Sequence, residues 1–330
     1  MMMMDEKVTA LCENFITNRD ILKKVFRGES LYVYPVAANA LTSHGVTADE
    51  DKLRECKKII KKNAGALSYL KGNVIMPFAA NLSMKEDPKA HFDKVIKIYN
   101  YAKKKFNRSE YSALLAIMLA DLTDETSFAA VVDRGKEIYD LMKNEHPFLT
   151  NEQDSVLAGL MALSDKNNTD LIDDMEKCFD LLKIKYSHKS SIQSVSHVLS
   201  LTQGSAREKV EHLNDLYDAL REAGKKYGVY TELSTLAAVS VLDSDIEKMR
   251  DTIIEIDEFL SKQKGYGLLG LDKKTRLMNA TMLTTDLYET AQASQAASTA
   301  SAIAVSAAQS LAVCIIITST IATNVAASST

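Results

Sequence analysis

Leu236-Ala237-Ala238-Val239-Ser240, a short polar break, and then Ile246, Met249, Ile253, Ile256 and Leu260 on a charged background decide the reading of this chain. The first segment is apolar and built from small residues, so as a helix it has no face made for water. The second places its apolar residues at steps of 3, 4, 3 and 4, which puts them on one stripe of a helix. Such a stripe has to be buried by a neighbour, and together the two segments form a helical hairpin.

Working outward, the small-residue segment returns as Ala37-Ala38-Asn39-Ala40-Leu41, Ala79-Ala80-Asn81-Leu82, Leu115-Ala116-Ile117-Met118-Leu119, Leu157-Ala158-Gly159-Leu160-Met161 and Ser196-His197-Val198-Leu199. Leu277-Met278-Asn279-Ala280-Thr281 closes the series. An aromatic residue stands in the turn ahead of each later copy, at Tyr69, Phe106, Phe148, Tyr186, Tyr227 and Tyr266, spaced by 37, 42, 38, 41 and 39 residues. The helix markers Leu82, Leu119, Met161, Leu199 and Ser240 keep step at 37, 42, 38 and 41. This predicts an all-α fold of about six tandem helical hairpins of roughly 40 residues each, with the aromatics as packing plugs and no strands. Helix starts are expected from capping boxes at Thr47 with Glu50, Thr150 with Gln153, Ser205 with Glu208 and Ser244 with Glu247, and from Pro35 and Asp87-Pro88.

No Gly/Ser/Pro linker interrupts the series, so residues 1–289 are expected to form a single α-α repeat domain. From Thr290 to Thr330 there is no charged residue, and Ala302 to Val325 is dominated by Ala, Ile, Val, Ser and Thr. Residues 290–330 are therefore a separate tail, expected to be an apolar C-terminal helix. Its length suits a membrane anchor over 302–325, while Gln309, Ser310, Thr318 and Asn324 and the absence of Lys and Arg flanks weaken that reading. The alternative is a low-complexity helix that folds back or self-associates.

Composition narrows the function classes. With 46% hydrophobic and 25% charged residues the chain is globular, and only 12 glycines and 4 prolines favour long helices with short turns. A net charge of −4 argues against a sequence-independent nucleic-acid partner, and the Lys57, Lys58, Lys61, Lys62 stripe reads as a solvated helix face. Cys12, Cys56, Cys178 and Cys314 are scattered among apolar residues, and the N-terminus has no secretory pattern, so a cytoplasmic location is expected.

No catalytic motif is legible. Gly265-Tyr266-Gly267-Leu268-Leu269-Gly270 matches G-x-G-x-x-G but follows a helix rather than a strand, so it reads as an inter-hairpin turn. Asp173-Asp174-Met175-Glu176 reads as solvated helix charge and Asp121-Leu122-Thr123-Asp124-Glu125 as a turn with a cap, in place of a metal site. The six histidines show no HExxH spacing, and no cofactor or metal is expected. A pocket is still conceivable around His146, Asp154, Gln193, Ser196, His197 and Glu232. His197 is either a hydrogen-bonded core histidine or a ligand contact. Asp154 and Glu232 are either partners of helix N-termini or pocket residues.

His146-Pro147-Phe148-Leu149-Thr150 with Asp154, Gln193 to Leu199, Tyr227-Gly228 with Glu232-Leu233, and Gly265 to Gly270 leading into Arg276-Leu277-Met278 carry a resemblance over most of residues 5–289. It is to a family of uncharacterised proteins of Bacillus-type Firmicutes called domain of unknown function 4003. The apolar Ala-rich tail resembles that family's ending, though it is richer here in Ser and Thr. The resemblance implies a cytoplasmic bacterial setting and no mechanism. The residues lead first to a noncatalytic helical-repeat binding or scaffold protein with a protein or peptide partner. An all-α enzyme or small-ligand binder with an inter-repeat pocket, or a membrane-tethered scaffold, are the alternatives.

Overall fold

The computed structural model describes residues 5–65, 68–242, 245–267 and 270–293, and they are all-α, with fourteen α-helices and no strand. They fall into two compact units, residues 5–136 and residues 137–293. The first contains α1 (Glu6–Val25), α2 (Val33–Thr42), α3 (Glu50–Asn63), a 3-10 turn at Tyr69–Lys71, α4 (Ile75–Ser83), α5 (Pro88–Lys105) and α6 (Glu110–Leu122). The division falls inside α7 (Phe128–Glu145). The second continues with α8 (Asp154–Met161), α9 (Asn168–Leu182), α10 (Lys189–Ser200), α11 (Ala206–Glu222), α12 (Thr231–Ser240), α13 (Ile246–Ser261) and α14 (Lys273–Ala293).

Within each unit the helices sort by composition. In the first, α1, α3 and α5 follow one another side by side, while α2 lies against α1 and α4, and α6 against α5. In the second, α9, α11 and α13 form one layer and α8, α10, α12 and α14 the other. The even helices are the small-residue segments: Ala37, Ala38, Ala79, Ala80, Ala158, Gly159, Ala237 and Ala238 are all buried. Short side chains allow close approach on every side, which is why a helix apolar all round can be covered on all faces. The odd helices are amphipathic, and in α13 the residues Met249, Ile253, Ile256 and Leu260 are completely buried along the predicted stripe.

Helix starts follow the sequence where a carboxylate or a complete box is present. Ser205 and Glu208 close the expected capping box on α11, and Asp87 accepts the amides of Lys89 and Ala90 ahead of Pro88. Two boxes are displaced. Thr47 donates its hydroxyl to Asn14 Oδ1 at 3.1 Å, and Asp49 caps α3 instead by accepting the amides of Asp51 and Lys52. Thr150 donates to the Met142 carbonyl, while Asn151 N donates to Asp154 Oδ2 at 2.8 Å and Asn151 Oδ1 accepts from Gln153 N at 2.9 Å. In α3 a charged acceptor near the helix start wins over the hydroxyl. Ser244 lies outside the described residues, and Asp245 caps α13.

The aromatic plugs are only partly where the spacing puts them. Phe106, Tyr186 and Tyr227 are buried, but Tyr69 and Phe148 are exposed. The recurring slot is the residue whose amide closes the last turn of an odd helix: Phe26 to Leu22 O at 2.8 Å, Ala64 to Ile60 O at 2.9 Å, Phe106 to Ala102 O at 2.8 Å, His146 to Met142 O at 2.9 Å and Tyr186 to Leu182 O at 2.9 Å. Ala64 and His146 fill the slot in which Tyr69 and Phe148 were expected.

The glycine-rich turn joins α13 to α14, with no strand before it. Gly265 and Gly267 have φ of 97° and 103°, and Leu271 N donates to Gly265 O at 2.9 Å while Gly267 N donates to Leu271 O at 3.0 Å. Those angles belong to the left-handed region that favours glycine. Residues 290–293 belong to α14, and the rest of the tail, including 302–325, lies outside the described residues; among the described ones no helix is long and apolar enough to cross a membrane.

A Cβ added at Gly270 would stand 2.2 Å from Gly265 O, whereas one at Gly65 would meet nothing within 4 Å. Gly270→Ala is therefore expected to destabilise the fold by roughly 1–3 kcal/mol, with Gly65→Ala close to neutral. Thermal melts of both variants check this; equal melting points would contradict the structural reading of the turn.

Candidate functional site

The site candidates lie in the unit of residues 137–293 and are set by the end of α7, the start of α8 and the length of α10. Every residue of α10 from Ile192 to Ser200 is buried, so its polar side chains have no water to turn to. Gln193 Nε2 donates to Thr150 Oγ1 at 3.0 Å, and that hydroxyl donates on to the Met142 carbonyl at 3.1 Å. This relay ties α10 to the turn that leads into α8. Ser196 spends its hydroxyl on its own helix, donating to Gln193 O at 2.9 Å.

His197 breaks the pattern. It has no solvent exposure, and neither ring nitrogen has a hydrogen-bond partner. The carboxylate it faces is Asp154, with Nδ1 to Oδ1 at 3.8 Å, too long for a hydrogen bond. The expectation of a hydrogen-bonded core histidine is thus overturned. Burial pulls the imidazole down to about 3, helped by the charge of His146. Burial pushes the Asp154 carboxyl up to about 7 against the opposing hydrogen bond from Asn151 N. Both groups are disfavoured in their charged forms because neither finds the water or close counter-charge that ionisation requires. Around neutrality the pair is a carboxyl group at its midpoint beside a neutral imidazole.

His146 extends the cluster outward. Its ring lies on Phe179, centroid to centroid 4.5 Å, and its Nε2 pairs with Glu176 Oε1 at 2.9 Å. Burial raises the Glu176 carboxyl and His146 pulls against it. The Tyr139 hydroxyl is held above its ordinary value by burial and by the charge of Asp154. His146, Asp154, Gln193 and His197 are therefore brought together, while Glu232 is not. Its carboxylate rests against Gly228 and accepts from Tyr230 N at 3.3 Å, within the turn between α11 and α12.

Sequence reasoning left Glu176, Tyr139 and Thr150 out of the site, read Asp124 correctly as a cap in a turn, and misjudged Asp174 as solvated. Asp174 is paired with Lys166 at 2.9 Å and with the buried Lys209 at 2.6 Å, so only Asp173, facing Lys177, sits in solvent as expected. Asp121 gathers Lys85 at 2.5 Å and His91 at 3.3 Å, and Asp124 caps the approach to α7 by accepting the amides of Thr126 and Ser127. Asp257, on the polar side of the α13 stripe, is buried between Arg276 at 2.7 Å and Lys225 at 2.8 Å. No group of three His, Cys, Asp or Glu side chains among the described residues is arranged to hold a metal ion. The chemistry on offer around His197 is neutral hydrogen bonding: a carboxyl that carries a proton below about pH 7 and a ring with one donor and one acceptor nitrogen.

The two shifts oppose each other in stability. Asp154 titrates near 7 folded and near 3.8 unfolded, so the folded state holds its proton longer and stability falls as pH rises through that window. His197 titrates near 3 folded and 6.5 unfolded, so stability rises as pH climbs between those values. In the native chain the slopes largely cancel between pH 4 and 6.5. His197→Leu is expected to leave a falling slope of about 1.4 kcal/mol per pH unit, and Asp154→Asn a rising one. Urea titrations across that range check the signs; parallel curves for the two variants would contradict the assignment.

The family described as "Protein of unknown function (DUF4003)" matches residues 20–319. The uncharacterized protein YeaA of Bacillus subtilis (strain 168) is 26% identical over 224 residues, which is 66% of this chain and 67% of that protein. No solved structure matches. Since the family match takes in α2 to α14 and with them the whole His197 cluster, the chain belongs to the bacterial DUF4003 family.

Proposed function

We propose that the chain is a noncatalytic, cytoplasmic helical-repeat binding protein whose ligand is a small polar molecule, received where α10 meets the start of α8. The observation that carries this reading is His197, buried with both ring nitrogens unanswered. A buried polar atom with no partner costs on the order of 1–3 kcal/mol, and such atoms in a native fold call for an explanation. A ligand with one donor and one acceptor would answer the ring, and Asp154 and Gln193 would flank it. Two further buried hydroxyls without partners, Ser234 and Thr235, stand on the next even helix, α12, and extend the polar character of this layer.

Mass spectrometry of the small molecules released when the natively purified full-length chain is denatured tests the reading. A polar compound in near-equal amount to the protein is expected from the native chain and not from His197→Leu, and the variant should melt lower. If nothing is released and His197→Leu melts higher, the unanswered nitrogens are strain alone and the reading is wrong.

A further inference from the structure

A second feature of residues 137–293 lies at the ends of the helices, away from His197. In this unit α8, α10, α12 and α14 lie side by side, as do α9, α11 and α13. The turns that lead from an odd helix into the next even one therefore fall along one edge. On that edge Phe148 is 99% exposed, Ile184 83% and Tyr230 51%, one in each of three successive turns. The turns along the opposite edge, 162–167, 201–205 and 241–245, carry no exposed large apolar side chain among the described residues. Apart from Leu141, 37% exposed on α7, the exposed large apolar side chains of this unit among the described residues stand on this edge, one in each of its first three turns. That is unlike singly scattered surface hydrophobes, which need no explanation.

Charge follows the same edge. Residues 137–293 are acidic as a whole, with 18 Lys and Arg against 27 Asp and Glu. Yet the turns 146–153, 183–188, 223–230 and 262–272 hold six lysines and only two acids, Glu152 and Asp272. Lys183, Lys185 and Lys225 are answered by Asp180, Asp218 and Asp257. Lys226, Lys262 and Lys264 are exposed and have no ion pair among the described residues. Lysines near helix C-termini answer the helix dipole, but dipoles do not account for a phenylalanine, an isoleucine and a tyrosine facing water beside them. Cations interleaved with exposed apolar and amphipathic side chains, on an otherwise acidic body, match a surface that is negative on the outside and apolar just beneath.

We propose that this edge docks on an anionic membrane surface. Lys226, Lys262 and Lys264 stand over the phosphate headgroups, Phe148 and Ile184 enter the boundary with the acyl chains, and Tyr230 sits at headgroup level. Lysines close to an anionic bilayer are attracted within a Debye length and aromatic rings favour the interface, so both components act on the same face. The contact is peripheral and uses folded turns, with no spanning segment.

Flotation of the full-length chain with vesicles of phosphatidylglycerol and phosphatidylcholine, against pure phosphatidylcholine, tests the assignment. The native chain is expected to float with the anionic vesicles, to do so less at high salt, and to stay behind with neutral ones. Phe148→Ser with Ile184→Ser should lower binding roughly tenfold or more, and Lys226→Glu with Lys264→Glu should do the same. All four positions are exposed, so unchanged melting points separate lost binding from lost folding. Because residues 290–330 are intact in every variant, binding that survives the substitutions belongs to the tail and overturns the proposal. Equal binding to neutral vesicles overturns it, as does failure to bind any vesicle while binding a polyglutamate peptide.

Discussion

A helix buried on every face can keep a polar group only where another part of the chain answers it, and this constraint shapes both units. The even helices α2, α4, α8, α10 and α12 are short, and small side chains such as Ala, Gly and Ser let neighbours cover them closely. They still end in carbonyls with no partner inside the helix. Lys94 donates to the carbonyls of Ala120 and Thr123 at the end of α6. Lys166 donates to those of Ser200 and Thr202 beyond α10, and His212 to Ser240 O at the end of α12. In the first unit Asn18 donates to Thr42 Oγ1 and Val46 O while its own oxygen accepts from Ala48 N, which finishes α2 and sets the approach to α3. Each of these side chains is held by its role: a residue without the matching donors would leave buried acceptors bare.

Set against that economy of partners, His197, facing Asp154, departs from the rule with both ring nitrogens unanswered. Gln193 is closed with Thr150, and Glu176 stands 2.9 Å from His146, while His197 faces Asp154 at 3.8 Å. Their opposed shifts keep both groups neutral over much of the mildly acidic range without either one stabilising the other's charge. A ligand entering such a place meets directional hydrogen bonds in a low-dielectric setting, where they count for more than in water.

What was legible in the sequence was whatever repeats locally. The α13 stripe, the small-residue helices and the Ser205 box depend on neighbours three or four residues apart, and the fold class followed from them. What depends on remote partners was not legible. Phe148 has the chemistry of a plug, yet His146, two residues earlier, takes the slot at the end of α7 because there its ring meets Phe179 and its nitrogen meets Glu176. Asp257 and Asp174 lie on the polar sides of their stripes and look solvated until Arg276, Lys225, Lys166 and Lys209 are brought against them by the next helix or turn. Of the candidate site residues, Asp154, Gln193 and His197, which the structure brings close, could be picked out because polar groups inside an apolar helix are conspicuous. Glu232 was named on the same ground and turned out to serve its own turn.

The carbonyl caps also have a direction in time. Lys94 precedes α6, Lys166 precedes α10 and His212 precedes α12, so in each case the donor side chain comes earlier in the chain than the helix end it completes. A ribosome releases the chain from its N-terminus. Each of these buried helices therefore emerges into the presence of the group that will finish it, and does not wait with bare carbonyls for a residue still to be synthesised.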